Sequence, residues 1–267
     1  MRPVILIAAI LSLGAAAWAQ PAIANGGILN GASFAKGQAV AAGSLVSIFG
    51  TNLSTTTASA SSVPLSTSLG GVSVTFNNIP SPLIFVSHSA ANGDQINAQV
   101  PYELAGSSSA QVVVNDGTAS APQTVQLAAQ APGIFFIGSG QAVAYGNTDF
   151  AFAAPTGSIP GVAAHPAKIL DPQTLVILTT GLGAVSPSIA DGVGDPTTVH
   201  NTTSTPVVMV GGVNAQVVFS GIAPGFPGVY QINIIVPAGA PTGNAVPLQI
   251  QMGGITTSNQ ITIAVSN

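Results

Sequence analysis

The sequence predicts an all-β protein made of two sandwich units in tandem. Short runs rich in Val, Ile, Thr and Phe alternate with clusters of Gly, Pro, Asn and Ser, which is the pattern of strands and turns. No window of about 11 residues keeps the apolar period of a helix. The phrase DQINAQVP, Asp94 to Pro101, returns 136 positions later as YQINIIVP, Tyr230 to Pro237. A strand-like phrase that recurs at long range marks a unit built twice.

In the first half the expected strands are Leu45 to Phe49, Val72 to Phe76, Pro82 to Ser87, Gln95 to Val100, Ala110 to Asn115 and Gln123 to Ala128. In the second they are Thr174 to Thr180, Pro206 to Val210, Ala215 to Ser220, Tyr230 to Val236, Val246 to Met252 and Gln260 to Val265. Landmarks between them pair Gly50 with Gly181, Gly70-Gly71 with Gly211-Gly212, Val100-Pro101 with Val236-Pro237 and Ser120 with Ser258, at offsets of 131, 141, 136 and 138. Small variation around one offset is what loop insertions in a duplicated unit produce. The expected units run from Gly26 to Gln130 and from Ala131 to Asn267, and the short join AAQAPGIF implies that they pack together. About seven short strands per unit suit an immunoglobulin-like sandwich. A closed barrel is the structural rival, but it would not need the duplication.

Alternation puts Ile96, Ala98 and Val100 on one face of the repeated strand and Gln95, Asn97 and Gln99 on the other. The second copy has Ile232, Ile234 and Val236 inward and Gln231 and Asn233 outward, with Ile235 the one outward apolar residue. Pro101 and Pro237 end the strands, because proline brings no N–H to a ladder. The inward set predicts core. The outward Gln95, Asn97, Gln231 and Asn233 either tie down loops or touch a ligand.

The chain opens MRPVILIAAILSLGAAAWAQ, with Arg2, an apolar run from Val4 to Ala17 and the small-x-small triplet Ala17-Trp18-Ala19, which reads as a signal peptide over residues 1–19. A membrane anchor is the competing reading, but Gln20, Pro21 and Asn25 interrupt the run before about 20 apolar residues are reached. The expected location is therefore extracytoplasmic. With no Cys, disulfides and thiolate metal sites are excluded. Only 4% of residues are charged, where about 25% is usual. Cleavage after Ala19 would leave Lys36 and Lys168 against seven acids, a formal charge of 2 − 7 = −5. That opposes binding to nucleic acid or anionic lipid. At 47% hydrophobic, the chain is expected to fold.

AAGSLVSIFGTNLS, Ala41 to Ser54, resembles the opening of IPT/TIG domains, immunoglobulin-like units in which such a strand ends in Gly-Thr-Asn-Leu. NIIVPAGAPTGNAVPLQIQMGGITTSNQITIAV, Asn233 to Val265, is similar to the end of the same domain. The ordered series GGILNGASF, PLSTSLGGVSVTFN, DQINAQVPYEL, APGIF, TTGLG and GIAPGFPGVYQINIIVPAG resembles, more specifically, the Solibacter-type C-terminal domain of secreted acidobacterial proteins. That resemblance implies a secreted immunoglobulin-like fold and carries no established activity. The second unit departs from the pattern where GTNL has become TTGLG.

His88, His165 and His200 each stand in Ser, Ala or Thr contexts without an i, i+4 partner, so they are expected to be loop histidines and not a zinc site. No Gly-x-Ser-x-Gly elbow, phosphate-binding loop or dinucleotide fingerprint occurs. In DGVGDP, Asp191 and Asp195 could hold calcium with backbone carbonyls, against the reading of a plain turn. Glu103 has no carboxylate neighbour in sequence for glycosidase chemistry. Phe34, Tyr102, Phe135, Phe136, Phe226 and Tyr230 sit in expected turns, as core plugs or, for Tyr102 and Tyr230 in particular, as glycan contacts.

The expected function is that of a non-enzymatic module for adhesion or assembly, with no cofactor. Its partners would be other cell-surface or extracellular proteins, itself through strand edges, and glycans. A carbohydrate-binding module is the alternative and a secreted hydrolase the third. The edge argument rests on the scarcity of Lys, which commonly protects edge strands from foreign pairing.

Overall fold

The computed structural model describes residues 20–138, 140–257 and 260–267. The expected signal peptide and the Ser258 landmark lie outside these residues. The fold is all-β and immunoglobulin-like, and among the described residues the one helical turn is a 3-10 turn at Tyr102–Leu104. No helix among them is long and apolar enough to cross a membrane.

In the first half one sheet runs in the order Ala22–Asn30, Leu45–Thr51, Asp94–Gln99, Leu83–Ser87, Ala58–Ser59. The facing sheet runs Val40–Ala41, Gln123–Ala128, Ser109–Asn115, Val72–Phe76, Ser68–Leu69. Alternation fills the space between them: Ile48, Ile96 and Ala98 meet Val74, Phe76, Val112 and Val114, all buried. The nine-residue strand Ala22–Asn30 escapes sequence reading, because its Gly26-Gly27 step breaks the alternation and shifts the register between Ile23 and Ile28.

In the second half the strands form one continuous path that includes Thr262–Ser266, Gly243–Met252, Val207–Val210, Val213–Ile222, Tyr230–Ile235 and Leu175–Thr180. Val213–Ile222 serves both layers, pairing first with Val207–Val210 and then with Tyr230–Ile235, and its register shifts between Val217 and Phe219. Such a bulge bends a strand and lets it leave one sheet for the other. A second, separate core of Ile177, Ile232, Ile234, Leu248, Ile250 and Ile263 lies inside this wrap.

The pairings correct two of the landmarks. Gly211-Gly212 follows Val207–Val210, whose sheet neighbour is Gly243–Met252; the strand beside Ser109–Asn115 is Val72–Phe76, followed by Asn77-Asn78. Asn77 N–H donates to the Gln111 carbonyl at 2.8 Å, as Gly211 N–H donates to that of Pro247 at 2.8 Å. The counterpart of Gly211-Gly212 is thus Asn77-Asn78, at an offset of 134, and not Gly70-Gly71. Both pairs have positive φ, 48° and 65° for the asparagines and 59° and 83° for the glycines, as a type I′ hairpin needs. Asparagine tolerates that region well enough to hide the match from a search for glycine.

Likewise, the position of Ser120 is taken by Thr257. Ser120 Oγ accepts from Val114 N–H at 3.1 Å while Ser120 N–H donates to the Val114 carbonyl at 2.8 Å. Thr257 makes the same pair of bonds with Ile250, both at 2.9 Å.

Sheet edges are short. Among the described residues the ends of the sheets are two-residue strands such as Ala58–Ser59, Ser68–Leu69, Val40–Ala41 and Ala164–His165, and the one long edge, Ala22–Asn30, carries the bulge. The sequence leaves open whether edges are protected or meant for pairing; the structure offers a second chain little unpaired backbone.

Candidate functional site

The repeated strands place the candidate residues in three different settings. In the first copy Ser47 Oγ donates to Asn97 Oδ1 at 2.9 Å, and Gln95 Nε2 donates to the same atom at 2.7 Å. Gln95 and Asn97 therefore form a ladder across the sheet face and are half-buried. In the second copy Val176 lies opposite Asn233 where Ser47 lies opposite Asn97. Asn233 Oδ1 is consequently buried without a protein partner, and Gln231 lies half-buried beside it on the same face.

Gln99 is a correction. Expected outward, it is fully buried, because its strand end faces the second unit and not water. Its Oε1 accepts from Gly192 N–H at 2.7 Å and its Nε2 donates to the Gly43 carbonyl at 3.3 Å. Around it runs a clasp of bonds between the halves. Leu65 N–H donates to the Gly192 carbonyl at 2.9 Å, Tyr102 N–H to Asp191 Oδ1 at 2.9 Å, Leu45 N–H to Thr180 Oγ1 at 2.8 Å, and Asn30 Nδ2 to the Ala131 carbonyl at 2.8 Å.

The two tyrosines offered as glycan contacts belong to this clasp. Tyr230 is 0% exposed, and its hydroxyl donates to the Gly183 carbonyl at 2.6 Å, so it presents no ring face to a ligand. Tyr102 packs against Gly43, where a Cβ would come within 2.0 Å of the ring, so the glycine is required. Its buried hydroxyl lies beside that of Tyr230 without a partner at hydrogen-bonding geometry. Burial pushes the Tyr102 phenol up to about 12 and the Tyr230 phenol well above its ordinary value, so both stay neutral.

In DGVGDP, offered either as a calcium loop or as a plain turn, the two carboxylates turn apart. Asp191 turns to Tyr102, whereas Asp195 accepts from Thr197 Oγ1 at 2.7 Å and from the Thr197 and Thr198 N–H groups at 2.8 and 3.1 Å. The two carboxylates serve different neighbours. Burial, with the Glu103 carboxyl beside it, raises Asp191 to about 6.

The histidines read as solitary in the sequence each meet an aspartate. His88 Nδ1 lies 3.0 Å from Asp94 Oδ1, His165 Nε2 lies 2.8 Å from Asp149 Oδ2, and His200 Nε2 lies 3.5 Å from Asp195 Oδ2. The separations of 6, 16 and 5 residues follow loop geometry and leave no helical spacing to find. His165 and His200 also use Nδ1, on the Pro166 and Pro187 carbonyls at 3.0 and 2.7 Å, so neither ring keeps a nitrogen free to take a proton from a hydroxyl. His88 lines a depression together with Ser54, but Ser54 Oγ is engaged with the Thr56 carbonyl and N–H at 2.8 and 3.1 Å.

One pair stands in a depression. In the second half the chain passes from one sheet edge to the other over a single residue: Ala164–His165 pairs with Phe152–Ala153, and Ala167–Lys168 pairs with Val265–Ser266. At this seam Asp149, His165, Lys168, Asp171 and Gln173 line an open hollow, with a narrow cleft beneath that reaches Thr174 and Val236. The Pro166 carbonyl, then Asp149, raises the His165 pKa, and hydrogen bonds from Ala151 N–H, His165 and Gln173 hold Asp149 down despite opposing desolvation. Sequence reading missed this site because its members are scattered between Asn147 and Gln173.

Fold and clasp together define an immunoglobulin-like β-sandwich module with a second sandwich locked onto the first. Residues 33–127 match the IPT/TIG domain family. IPT/TIG is a non-catalytic immunoglobulin-like domain. No curated protein and no solved structure matches the chain.

Proposed function

We propose that the protein is an exported, non-enzymatic adhesion or assembly module of the Solibacter type, with residues 1–19 as its leader and units at 26–130 and 131–267. The observation that carries this reading is the IPT/TIG match over residues 33–127, followed by a second wrap of strands clasped to the first. Immunoglobulin-like units of this kind offer loops and sheet faces to other proteins. Because the edges are short, association rests on side chains and loops more than on added strands.

The test is the fate of a C-terminally tagged chain expressed in a bacterium with its own leader. The reading expects a mature product starting at Gln20, open to protease added to intact cells, and without turnover in a broad hydrolase panel. An uncleaved product kept inside the cell, or hydrolysis that survives repurification, would overturn it.

A further inference from the structure

We propose that the seam of the second half, around Asp149, His165, Lys168, Asp171 and Gln173, binds a saccharide. The chain is almost devoid of charge, with ten Asp, Glu, Lys and Arg residues in all, yet three of them and a histidine meet in this one hollow. They lie in the stretch before Leu175–Thr180, which separates the join from the first central strand of the second unit. The corresponding stretch before Leu45–Thr51 is much shorter, so the seam belongs to an extension of the second unit, although its Ala153, Ala167 and Ile169 pack into or against the core.

The chemistry favours a polyhydroxylated, uncharged ring. Two carboxylates stand against one ammonium and an imidazole whose two nitrogens both face acceptors, so the charges nearly cancel and neither a polyanion nor a bare cation is favoured. Among the described residues, no carboxylate lies within salt-bridge distance of Lys168. The planar groups of the rim hold one another in place, since Asp149 accepts from Ala151 N–H and faces His165, Asp171 accepts from Gln173 N–H, and Gln173 accepts from the Thr148 hydroxyl; a ligand's hydroxyls would meet their remaining lone pairs, Lys168 and Asn147. The Thr174 hydroxyl, on the wall of the cleft below, is buried without a partner.

Next in chain to Asp149 is Phe150, 68% exposed and held at φ 55°. Its ring centroid lies 6.3 Å from that of Tyr145 at an interplanar angle of 34°, and Tyr145 in turn lies 6.2 Å from Phe152 at 44°, so three tilted rings cluster next in chain to Asp149. A large apolar side chain in a conformation that favours glycine, still mostly facing water, gains little from packing beyond its contact with Tyr145. One exposed ring next to planar polar groups matches a sugar, which has an apolar face and a hydroxyl rim.

The proposal goes beyond the adhesion reading and fails separately from it, since export and surface exposure do not depend on the seam. The test is calorimetric titration of the mature chain, residues 20–267, with soluble oligosaccharides of cellulose, xylan, mannan and chitin, and with sodium phosphate and the dipeptide Gly-Glu as charged comparators. Phe150→Gly removes the ring while suiting the backbone, and Lys168→Gln removes the ammonium. Saturable binding of at least one oligosaccharide, weakened about tenfold or more by Phe150→Gly and much less by Lys168→Gln, is the expected result. No saturable binding of any oligosaccharide, binding of phosphate or dipeptide alone, or oligosaccharide binding that Phe150→Gly leaves unchanged would overturn it. Thermal unfolding of both variants verifies that any loss is local.

Discussion

Asp94 and Tyr230 occupy the same place in the repeated phrase and do the same work by different chemistry. Asp94, 2% exposed, accepts from Leu53 N–H at 2.8 Å and Ser89 N–H at 3.0 Å and so ties the Gly-Thr-Asn-Leu loop to its strand. Tyr230 ties the Thr-Gly-Leu-Gly loop through its hydroxyl and Gly183. The change from GTNL to TTGLG is therefore matched by a change of tether. Asp94→Ala should cost about 3 kcal/mol, since charged acceptors lose most when removed from buried donors, and Tyr230→Phe about 1 kcal/mol, both read from urea unfolding. Asn97 and Asn233 make a second comparison. Asn97→Val breaks a bonded ladder and should destabilise, whereas Asn233→Val removes an orphaned acceptor and should stabilise by about 1 kcal/mol in the same assay. The sequence showed that Asn97 and Asn233 share the outward face, because that follows from period two. It could not show that Ser47 supplies one and Val176 starves the other, because cross-strand partners depend on register.

At the scale of elements, the central strands were legible and their turns only partly so. Alternation located Val72–Phe76, Leu83–Ser87 and Ser109–Asn115 to within a residue or two, since burial on one face dictates it. The matching of Gly70-Gly71 to Gly211-Gly212 failed because Asn-Asn and Gly-Gly satisfy the same turn. The structure separates the two glycines. A Cβ at Gly211 would lie 2.2 Å from Pro241, whereas one at Gly212 would meet nothing within 4 Å. Gly212→Asn should leave stability nearly unchanged, but Gly211→Ala should lower the melting temperature markedly, a difference a thermal scan resolves. The seam was illegible for another reason: its polar groups come from a turn, two two-residue strands and a loop, none of which imposes a period.

At the scale of the whole molecule, the clasp makes the two halves behave as one body. Sequence reading anticipated packing from the short join, but not the clasp, because Gln99 alternates like any outward residue and only the second unit buries it. The clasp also carries a pH dependence. Asp191 has a folded pKa of about 6, above its unfolded value, so the native state holds an extra proton between about 4 and 6. The contribution is most favourable below the unfolded value and is lost as pH rises through about 6. Asp191→Asn keeps an acceptor for Tyr102 N–H, removes the repulsion with Glu103, and should flatten stability against pH across that window while raising it at neutral pH. The most direct measurement is calorimetric unfolding of residues 20–267 near neutral pH. One transition, with equal calorimetric and van't Hoff enthalpies, is the expected result, whereas two resolved transitions in the unaltered chain would contradict a single clasped body.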